Sequence, residues 1–337
     1  MTGKGTVTSQ TGRRYALISP CRDEEKYLAR TLDSVMRQSV PPALWIVVDD
    51  GSTDRTPEIL ESYRDKIPYL KVVQRDDRGF RKVGGGVVDA FNQGLANLDM
   101  DDFDYVCKLD MDLDLPPSYF EGLMRKLEQD PEMGTCSGKP YFIDEKSGAK
   151  VSEYCGDEMS VGMTKFYRVD CFRDIGGFVT EVGWDIIDCH RCRMLGWRAL
   201  AFNDEDLAFQ HLRPMGSSYR SIWHGRLRHG FGQHFLGTHP LFMLASFVYR
   251  LNKAPVVIGA LGMLCGYVMS GLQGKPRYQD VAFRQYLRRY QLRSLLVGKV
   301  RAGEEVLERV RRDGRLTESE GTAGAAAAIS QAATREQ

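Results

Sequence analysis

The chain has 337 residues, 42% hydrophobic and 27% charged, enough to bury a core in one large domain or two ordinary ones; general disorder and collagen-like structure are excluded. Its 46 Lys and Arg balance 45 Asp and Glu to a formal charge of +1, so the whole-chain basic footprint of a nucleic-acid binder is absent and no nucleic-acid partner is expected. Eight cysteines are too few for a disulfide-dense secreted scaffold, and residues 1–14 hold no apolar run of the kind a secretory signal needs, so a chain kept in the reducing cytoplasm is expected.

Residues 1–14 read as a disordered start. Residues 15–19 form a short apolar run ending at Pro20, and 24–38 follow with Tyr27, Leu28, Leu32, Val35 and Met36 at helical spacing. A second apolar run, 44–48, stops at Asp49-Asp50-Gly51-Ser52, and 54–63 is helix-like again with Ser52 or Thr53 as cap. Strand 70–73, helix 87–98 and strand 105–109 complete the pattern. Short apolar strands alternating with amphipathic helices predict an α/β fold, a Rossmann-like, mostly parallel central sheet flanked by helices. Ligands of such sheets bind at the carboxyl ends of the strands. Further on, 185–195 reads as a helix closed by Gly196. Residues 214–315 are helical and partly apolar, and 316–337 read as a disordered Ala/Gly/Ser-rich tail.

Two acidic clusters end two different strands: Asp49-Asp50, and Asp110-Met111-Asp112-Leu113-Asp114. At one sheet edge these carboxylates would repel unless a cation sat among them. Magnesium or manganese suits the role, taking carboxylate oxygens while leaving positions for substrate phosphates. The alternation in Asp110-x-Asp112 sends both side chains one way along an extended chain.

The ordered set of Ala-Leu-Ile-Ser-Pro-Cys-Arg-Asp-Glu-Glu at 16–25, Ile-Val-Val-Asp-Asp-Gly-Ser-Thr-Asp at 46–54 and Lys-Leu-Asp-Met-Asp at 108–112 resembles family 2 of the inverting glycosyltransferases, whose fold is called GT-A. The resemblance covers roughly 15–213, with a nucleotide-binding half (15–115) and an acceptor and base half (116–213). It implies a nucleotide-sugar donor, UDP- or GDP-linked, with Pro20, Glu24, Asp50 and Asp49 lining the base and ribose pocket. It also implies Asp112 as a ligand of Mn2+ or Mg2+, and Asp110 as a ribose or metal contact. Asp114 either assists or caps the helix after Pro116-Pro117. Members often carry Ala-Arg-Asn-x-Gly before the metal motif; here Phe91 replaces the Arg, and Arg81 or Lys82 is the substitute expected.

Inversion needs the acceptor hydroxyl deprotonated as it attacks, which a positioned carboxylate can do. The family's Glu-Asp pair is matched by Trp184-Asp185, which assigns the base to Asp185. Asp188, one turn on, would hold a neighbouring hydroxyl or orient Asp185; Trp184 would pack under a sugar or fill core. His211 stands where the family often has a metal histidine, and Arg213 beside it would neutralise the departing diphosphate. Cys189-His190-Arg191-Cys192 lies inside a helix with no second Cys pair, so neither zinc nor redox chemistry is read from it. His224, His229, His234 and His239 recur every five residues, a spacing that no regular element puts on one face.

Residues 254–272 are 19 uncharged positions, near the roughly 20 that span a bilayer, and include Gly262 and Gly266 at a small-residue packing spacing. Basic residues on both flanks give no orientation. A shallow or re-entrant apolar hairpin over 241–272, resting on anionic headgroups at the cytoplasmic face of the inner membrane, is expected; burial of the pair on the catalytic domain would instead leave a cytoplasmic protein. Together these readings imply a metal-dependent transferase adding one sugar to a lipid-linked or other glycan acceptor in bacterial exopolysaccharide or cell-envelope synthesis. The Gln-x-x-Arg-Trp motif of processive members does not occur. A sugar nucleotidyltransferase and a non-catalytic nucleotide- or glycan-binding adaptor are the alternatives.

Overall fold

The structure, a computed structural model, describes residues 13–76, 85–153, 155–213, 222–252 and 257–312. The first half runs β1 (Tyr15–Cys21), α1 (Leu28–Met36), β2 (Leu44–Asp49), α2 (Thr56–Tyr63), β3 (Leu70–Gln74), α3 (Gly85–Leu95), β4 (Tyr105–Leu109) and β5 (Leu113–Asp114). Then come α4 (Tyr119–Gln129), β6 (Met133–Ser137), β7 (Pro140–Ile143), β8 (Lys150–Ser152), β9 (Thr164–Arg168), α5 (Val169–Asp174), α6 (Trp184–Met194), β10 (Arg198–Ala201) and β11 (Phe209–His211). Helices α7 (Ile222–Phe235), α8 (Pro240–Arg250), α9 (Ile258–Leu272), α10 (Val281–Val297) and α11 (Lys299–Arg312) follow.

Seven strands form the main sheet in the order β10-β6-β9-β4-β1-β2-β3. β1, β2, β3 and β4 are parallel; β1, β2 and β4 are apolar runs buried on both faces, and β3 is the half-exposed edge. β9 enters antiparallel between β4 and β6, so the sheet is mixed on one side. Ile18 of β1 pairs with Ile46 of β2 and Lys108 of β4. That register brings the carboxyl ends of three strands to one edge, and the loops bearing Glu24, Asp50 and Asp110 all leave from it. One core layer places α1 and α4 against the sheet through Leu28, Leu32, Phe120 and Leu123; the other joins Phe91 of α3 and Phe172 of α5 to Ile18 and Val106.

A second, four-stranded sheet, β5-β11-β7-β8, was not foreseen from sequence. Its strands are two to four residues long, too short for a periodicity to register. The predicted helix 24–38 begins only at Leu28, because Glu24 and Glu25 lie in the loop leaving β1. The first turn of α2 is served not by Ser52 or Thr53 but by Asp54, whose carboxylate accepts from the Thr56 amide at 2.9 Å.

The C-terminal helices pack against α6. His190 of α6 lies among Phe283, Tyr286 and Tyr290 of α10, and Ile187 shares a core with Phe235, Leu236, Leu287 and Ala302. α7 and α9 touch backbone to backbone. A Cβ on Gly230 would stand 2.1 Å from the Met263 carbonyl oxygen, and one on Gly266 2.1 Å from that of Leu227, so only glycine fits at either position. Of the apolar stretch 254–272, the described part is α9 with Val257 before it. No helix among the described residues is long and apolar enough to cross a membrane.

Candidate active site

The loops after β1 and β2 are knitted together. Asp23 adopts a positive φ of 53°, a conformation that Asp tolerates better than most side chains. Its carboxylate accepts from the Thr53 amide at 2.9 Å, and its own amide donates to Ser52 Oγ at 3.0 Å. The Glu24 amide donates to Thr56 Oγ1 at 2.8 Å. These bonds fix Glu24 next to the carboxyl end of β2. Pro20, the penultimate residue of β1, lies opposite Val48 and is partly exposed. Asp50 pairs with Arg75 at 2.9 Å, while Arg22 donates to its carbonyl at 2.6 Å. Asp49 serves the backbone instead: its Oδ1 accepts from the Ser52 amide at 3.0 Å and shapes the turn.

The second cluster is assembled by the small sheet. β5 pairs antiparallel with β11, setting Leu113 opposite His211, and the Leu212 amide donates to the Asp112 carbonyl at 2.8 Å. This register carries His211 across 99 residues to Asp112. His211 Nε2 then stands 3.6 Å from Asp112 Oδ2, and Arg213 Nε stands 3.4 Å from the same oxygen. The Arg213 guanidinium also pairs with Glu24, tying the β4 motif to the β1 loop. On its far side His211 Nδ1 donates to Glu153 Oε2 at 2.8 Å. Burial alone would raise the Asp112 carboxyl, but His211, Arg213 and Lys108 hold it below the usual range. Burial likewise works against the His211 imidazolium, yet Asp112 and Glu153 raise its pKa to about 9.

Asp110 turns elsewhere. Its carboxylate binds Lys108 Nζ, which also donates to the Gly162 carbonyl at 2.8 Å. Burial pushes the Asp110 carboxyl up against the pull of Lys108. Lys108 thus pairs with the Oδ1 oxygen of Asp110, whose side chain keeps 30% exposure. Asp114 does not cap the following helix: it pairs with Arg30 at 2.8 Å and Arg37 at 3.2 Å, while α4 is preceded by Ser118.

Gly162 links this cluster to Asp185. A Cβ on Gly162 would lie 3.2 Å from Asp185 Oδ2, so the carboxylate lies over the backbone whose carbonyl holds Lys108. Asp185 stands in the first turn of α6, partly exposed, and burial raises its pKa against the opposing charge of Lys165. Asp188 is sealed, with 1% exposure. Both its oxygens bind Lys165 Nζ, at 2.8 and 2.6 Å, and Tyr167 OH donates to it as well. Contact between Asp188 and an acceptor hydroxyl is thereby excluded. Its influence runs through Lys165, which donates to the Asp185 carbonyl at 2.8 Å. Trp184 is core, edge-on to Phe178 at 4.9 Å, with the Lys108 and Lys165 ammonium groups 5.3 and 5.7 Å from its ring centre. Arg81 and Lys82 lie outside the described residues.

Glu153, Lys108, Lys165 and Tyr167 were missed from sequence. Lys108 had a signal, a charge inside the otherwise apolar β4; Lys165, in the mixed strand β9, and Glu153, which follows an exposed three-residue strand, had none. Cys189 and Cys192 are buried free thiols, the second 3.6 Å from Cys171.

Among the described residues no three His, Cys, Asp or Glu side chains converge as a ready-made metal site. Asp112 and His211 nevertheless suit a Mg2+ or Mn2+ ion that draws its other ligands from water and phosphate. Glu153 behind the imidazole is the outer partner expected of a ligating histidine.

Fold and site together define an α/β domain of the GT-A class. Residues 16–179 match the model of glycosyl transferase family 2, and this segment belongs to that family. A putative glycosyltransferase, EpsH of Bacillus subtilis, is 25% identical over 130 residues, 38% of this chain and 35% of that protein. A poly-β-1,6-N-acetyl-D-glucosamine synthase of Staphylococcus aureus is 26% identical over 129 residues, 38% of this chain and 28% of its own length. The matched stretch thus spans about a third of these relatives. Among solved structures, S. aureus TarS superposes with a TM-score of 0.50 at 17% identity over 88% of this chain and 55% of that one, a likeness of fold.

Proposed function

We propose that the protein is a metal-dependent inverting glycosyltransferase that moves one sugar from a nucleotide-diphosphate sugar, UDP- or GDP-linked, to a hydroxyl of a lipid-linked or other glycan acceptor. The observation that carries this reading is a chain of contacts. Glu24, Arg213, Asp112 and His211 form one continuous cluster at the carboxyl edge of the sheet, and the bridge from Asp110 through Lys108 and Gly162 extends it to Asp185. The relatives' names, a poly-β-1,6-N-acetyl-D-glucosamine synthase among them, favour bacterial exopolysaccharide or envelope glycan as the product.

In this reading the nucleoside lies over the β1 and β2 loops, against Pro20, Glu24 and Asp50. The diphosphate reaches Asp112, His211 and Arg213. Asp112 and His211 would hold a Mn2+ or Mg2+ ion, which would supply positive charge to the leaving diphosphate. Arg213 adds a fixed cation beside it and stabilises charge as the bond to the sugar breaks. Asp185 accepts the acceptor's hydroxyl proton while that oxygen bonds to the anomeric carbon from the opposite face, and the nucleoside diphosphate departs. The raised pKa of Asp185 makes it a stronger base than an exposed aspartate. Lys165 and Asp188 position it without touching substrate.

The test is release of nucleoside diphosphate from a panel of UDP- and GDP-sugars, with and without Mn2+ and with glycan acceptors. Asp185→Asn should lower transfer by about 10²–10⁴-fold while leaving nucleotide binding intact. Retained transfer in that variant rejects Asp185 as base, and metal-independent turnover unchanged in Asp112→Asn removes the cation. Nucleotide-sugar binding without turnover in every condition would instead establish a binding module.

A further inference from the structure

Between residues 222 and 300 the sequence carries eleven Lys and Arg against a single acid, Asp280, in a chain whose total charge is +1. The rest of the chain is therefore net acidic, and the positive charge is gathered on the helical region. The same region has an inverted surface. Helix α9 turns mostly small residues inward, Gly259, Ala260, Gly262, Gly266 and Ser270 with the single larger Met263, and leaves Ile258, Leu261, Val268 and Leu272 outward, the last 83% exposed. These four recur at helical spacing along one stripe, and no charged residue occurs anywhere in α9. On the adjoining α8, Leu244 and Val248 are also exposed, each by more than half. A helix on the surface of a water-soluble domain has the opposite arrangement, with large apolar groups inward and polar groups outward. Apolar exposure on this scale marks a docking face.

We infer that the outward face of α8 and α9 docks on an anionic lipid surface, lying in the interface without crossing it. Fifteen residues of α9 reach only about 22 Å at the α-helical rise, short of the ~30 Å hydrocarbon core. Side-chain chemistry selects the occupant. The stripe is aliphatic, while the cations stand at the helix ends: Arg250 closes α8, and Lys275 and Arg277 follow α9. Aliphatic groups at acyl depth with cations at phosphate height is the pattern of an interfacial helix. A second copy of this chain would bring an equally basic face against the first, which opposes self-association there.

The region is held as one block. The His239 amide donates to Gln291 Oε1 at 2.8 Å and Tyr267 OH to the Thr238 carbonyl at 2.8 Å, joining α8, α9 and α10. The glycine contacts between α7 and α9 fix which side of α9 faces out. Docking therefore needs no rearrangement of the fold.

The experiment is sedimentation of the full chain with vesicles of phosphatidylcholine alone and of phosphatidylcholine with 30% phosphatidylglycerol. Binding to the anionic vesicles at least tenfold stronger than to the neutral ones is expected, and 0.5 M NaCl should weaken it. Leu261→Glu with Leu272→Glu changes two exposed positions outside the transfer site; it should cut the bound fraction tenfold or more while nucleotide-sugar turnover in solution stays at the wild-type rate. Lys275→Glu with Arg277→Glu should reduce anionic binding alone. Vesicle binding untouched by the leucine pair overturns the assignment. So does a wild-type chain that ignores both vesicle types, or one whose leucine face proves to mediate a concentration-dependent dimer. Loss of turnover in the Asp185→Asn variant with vesicle binding kept would separate this face from the transfer site.

Discussion

Two clusters of carboxylates and cations lie within the same domain, and sequence composition alone does not distinguish them. Around Asp112, His211 and Arg213 approach at 3.6 and 3.4 Å, with side chains 14%, 8% and 20% exposed. Around Asp188, Lys165 closes to 2.6 Å with exposures of 1% and 0%. The first cluster is loosely paired and can exchange a partner for an incoming phosphate or cation. The second is saturated, with lysine and tyrosine donors consuming the carboxylate's capacity. What separates a site from a brace here is unfilled bonding capacity, since both contain the same residue types.

The sharpest way to break that comparison is to remove one carboxylate from each cluster. Asp188→Ala leaves the Lys165 ammonium buried without its partner, which should cost about 3–5 kcal/mol of stability. Urea denaturation measures it. Replacing both partners, Lys165→Met with Asp188→Leu, should recover most of the loss, because the uncompensated charge is gone. Asp112→Asn should move the same transition by less, since His211 keeps Glu153 and Arg213 keeps Glu24 as partners, so neither charge is left unpaired. Equal losses in the two single variants would show that both clusters are braces.

A smaller effect concerns the link between the open cluster and its support. Glu153 fixes the His211 ring through Nδ1, so Nε2 is the nitrogen left to ligate. Glu153→Ala should weaken Mn2+ binding by about 10–100-fold, read by the electron paramagnetic resonance of free Mn2+, with Glu153→Gln falling between. Since His211 holds a proton with a pKa of about 9 in the metal-free chain, a metal at Nε2 must displace it. Affinity should therefore rise with pH up to that value. An affinity independent of both pH and residue 153 would remove His211 from the ligand set.

How far these features were legible in the sequence follows from their physics. The β1, β2 and β4 strands were readable because each is apolar across its whole width and ends on a motif of acids. Their parallel register then put Glu24, Asp50 and Asp112 at one edge. β5 and β8 were not readable, having two and three residues. They are also what brings His211 and Glu153 to Asp112, so the supporting shell stayed hidden although its endpoint was guessed. Asp188 was misjudged for a related reason. Its distance from Asp185 on the helix is local information, whereas Lys165 and Tyr167 reach it from an antiparallel strand that no local pattern announced. The apolar stretch 254–272 was readable as unusual, but which side of α9 faces out depends on Gly230 in another helix.

The smallest effect tests the seam between the catalytic domain and the basic helices, where His190 is the titrating group. Its ring is 4% exposed, 4.9 Å from the Tyr290 ring and close to Arg193. Burial, then the charges of Arg193, Lys299 and Lys165, drive its pKa well below the ordinary value, so it stays neutral in the fold. The unfolded chain takes up a proton there as pH falls through about 6.5. Stability from this group is therefore complete above that pH and is lost below it, at a limiting slope of about 1.4 kcal/mol per pH unit. His229, lowered to about 4 by burial and by Arg250 and Arg226, adds a loss of the same sign between 6.5 and 4. His211 acts in a different window: with its pKa raised to about 9, its contribution in the absence of metal is full below 6.5 and disappears between 6.5 and 9. Denaturation of wild type and His190→Gln at pH 7.5 and 5.5 isolates the seam, because the carboxylates and His229 titrate alike in both. The wild type should lose up to about 1.4 kcal/mol more than the variant over that interval. If the two lose equally, His190 is protonated in the fold, and the contact between α6 and α10 is looser than its aromatic packing implies.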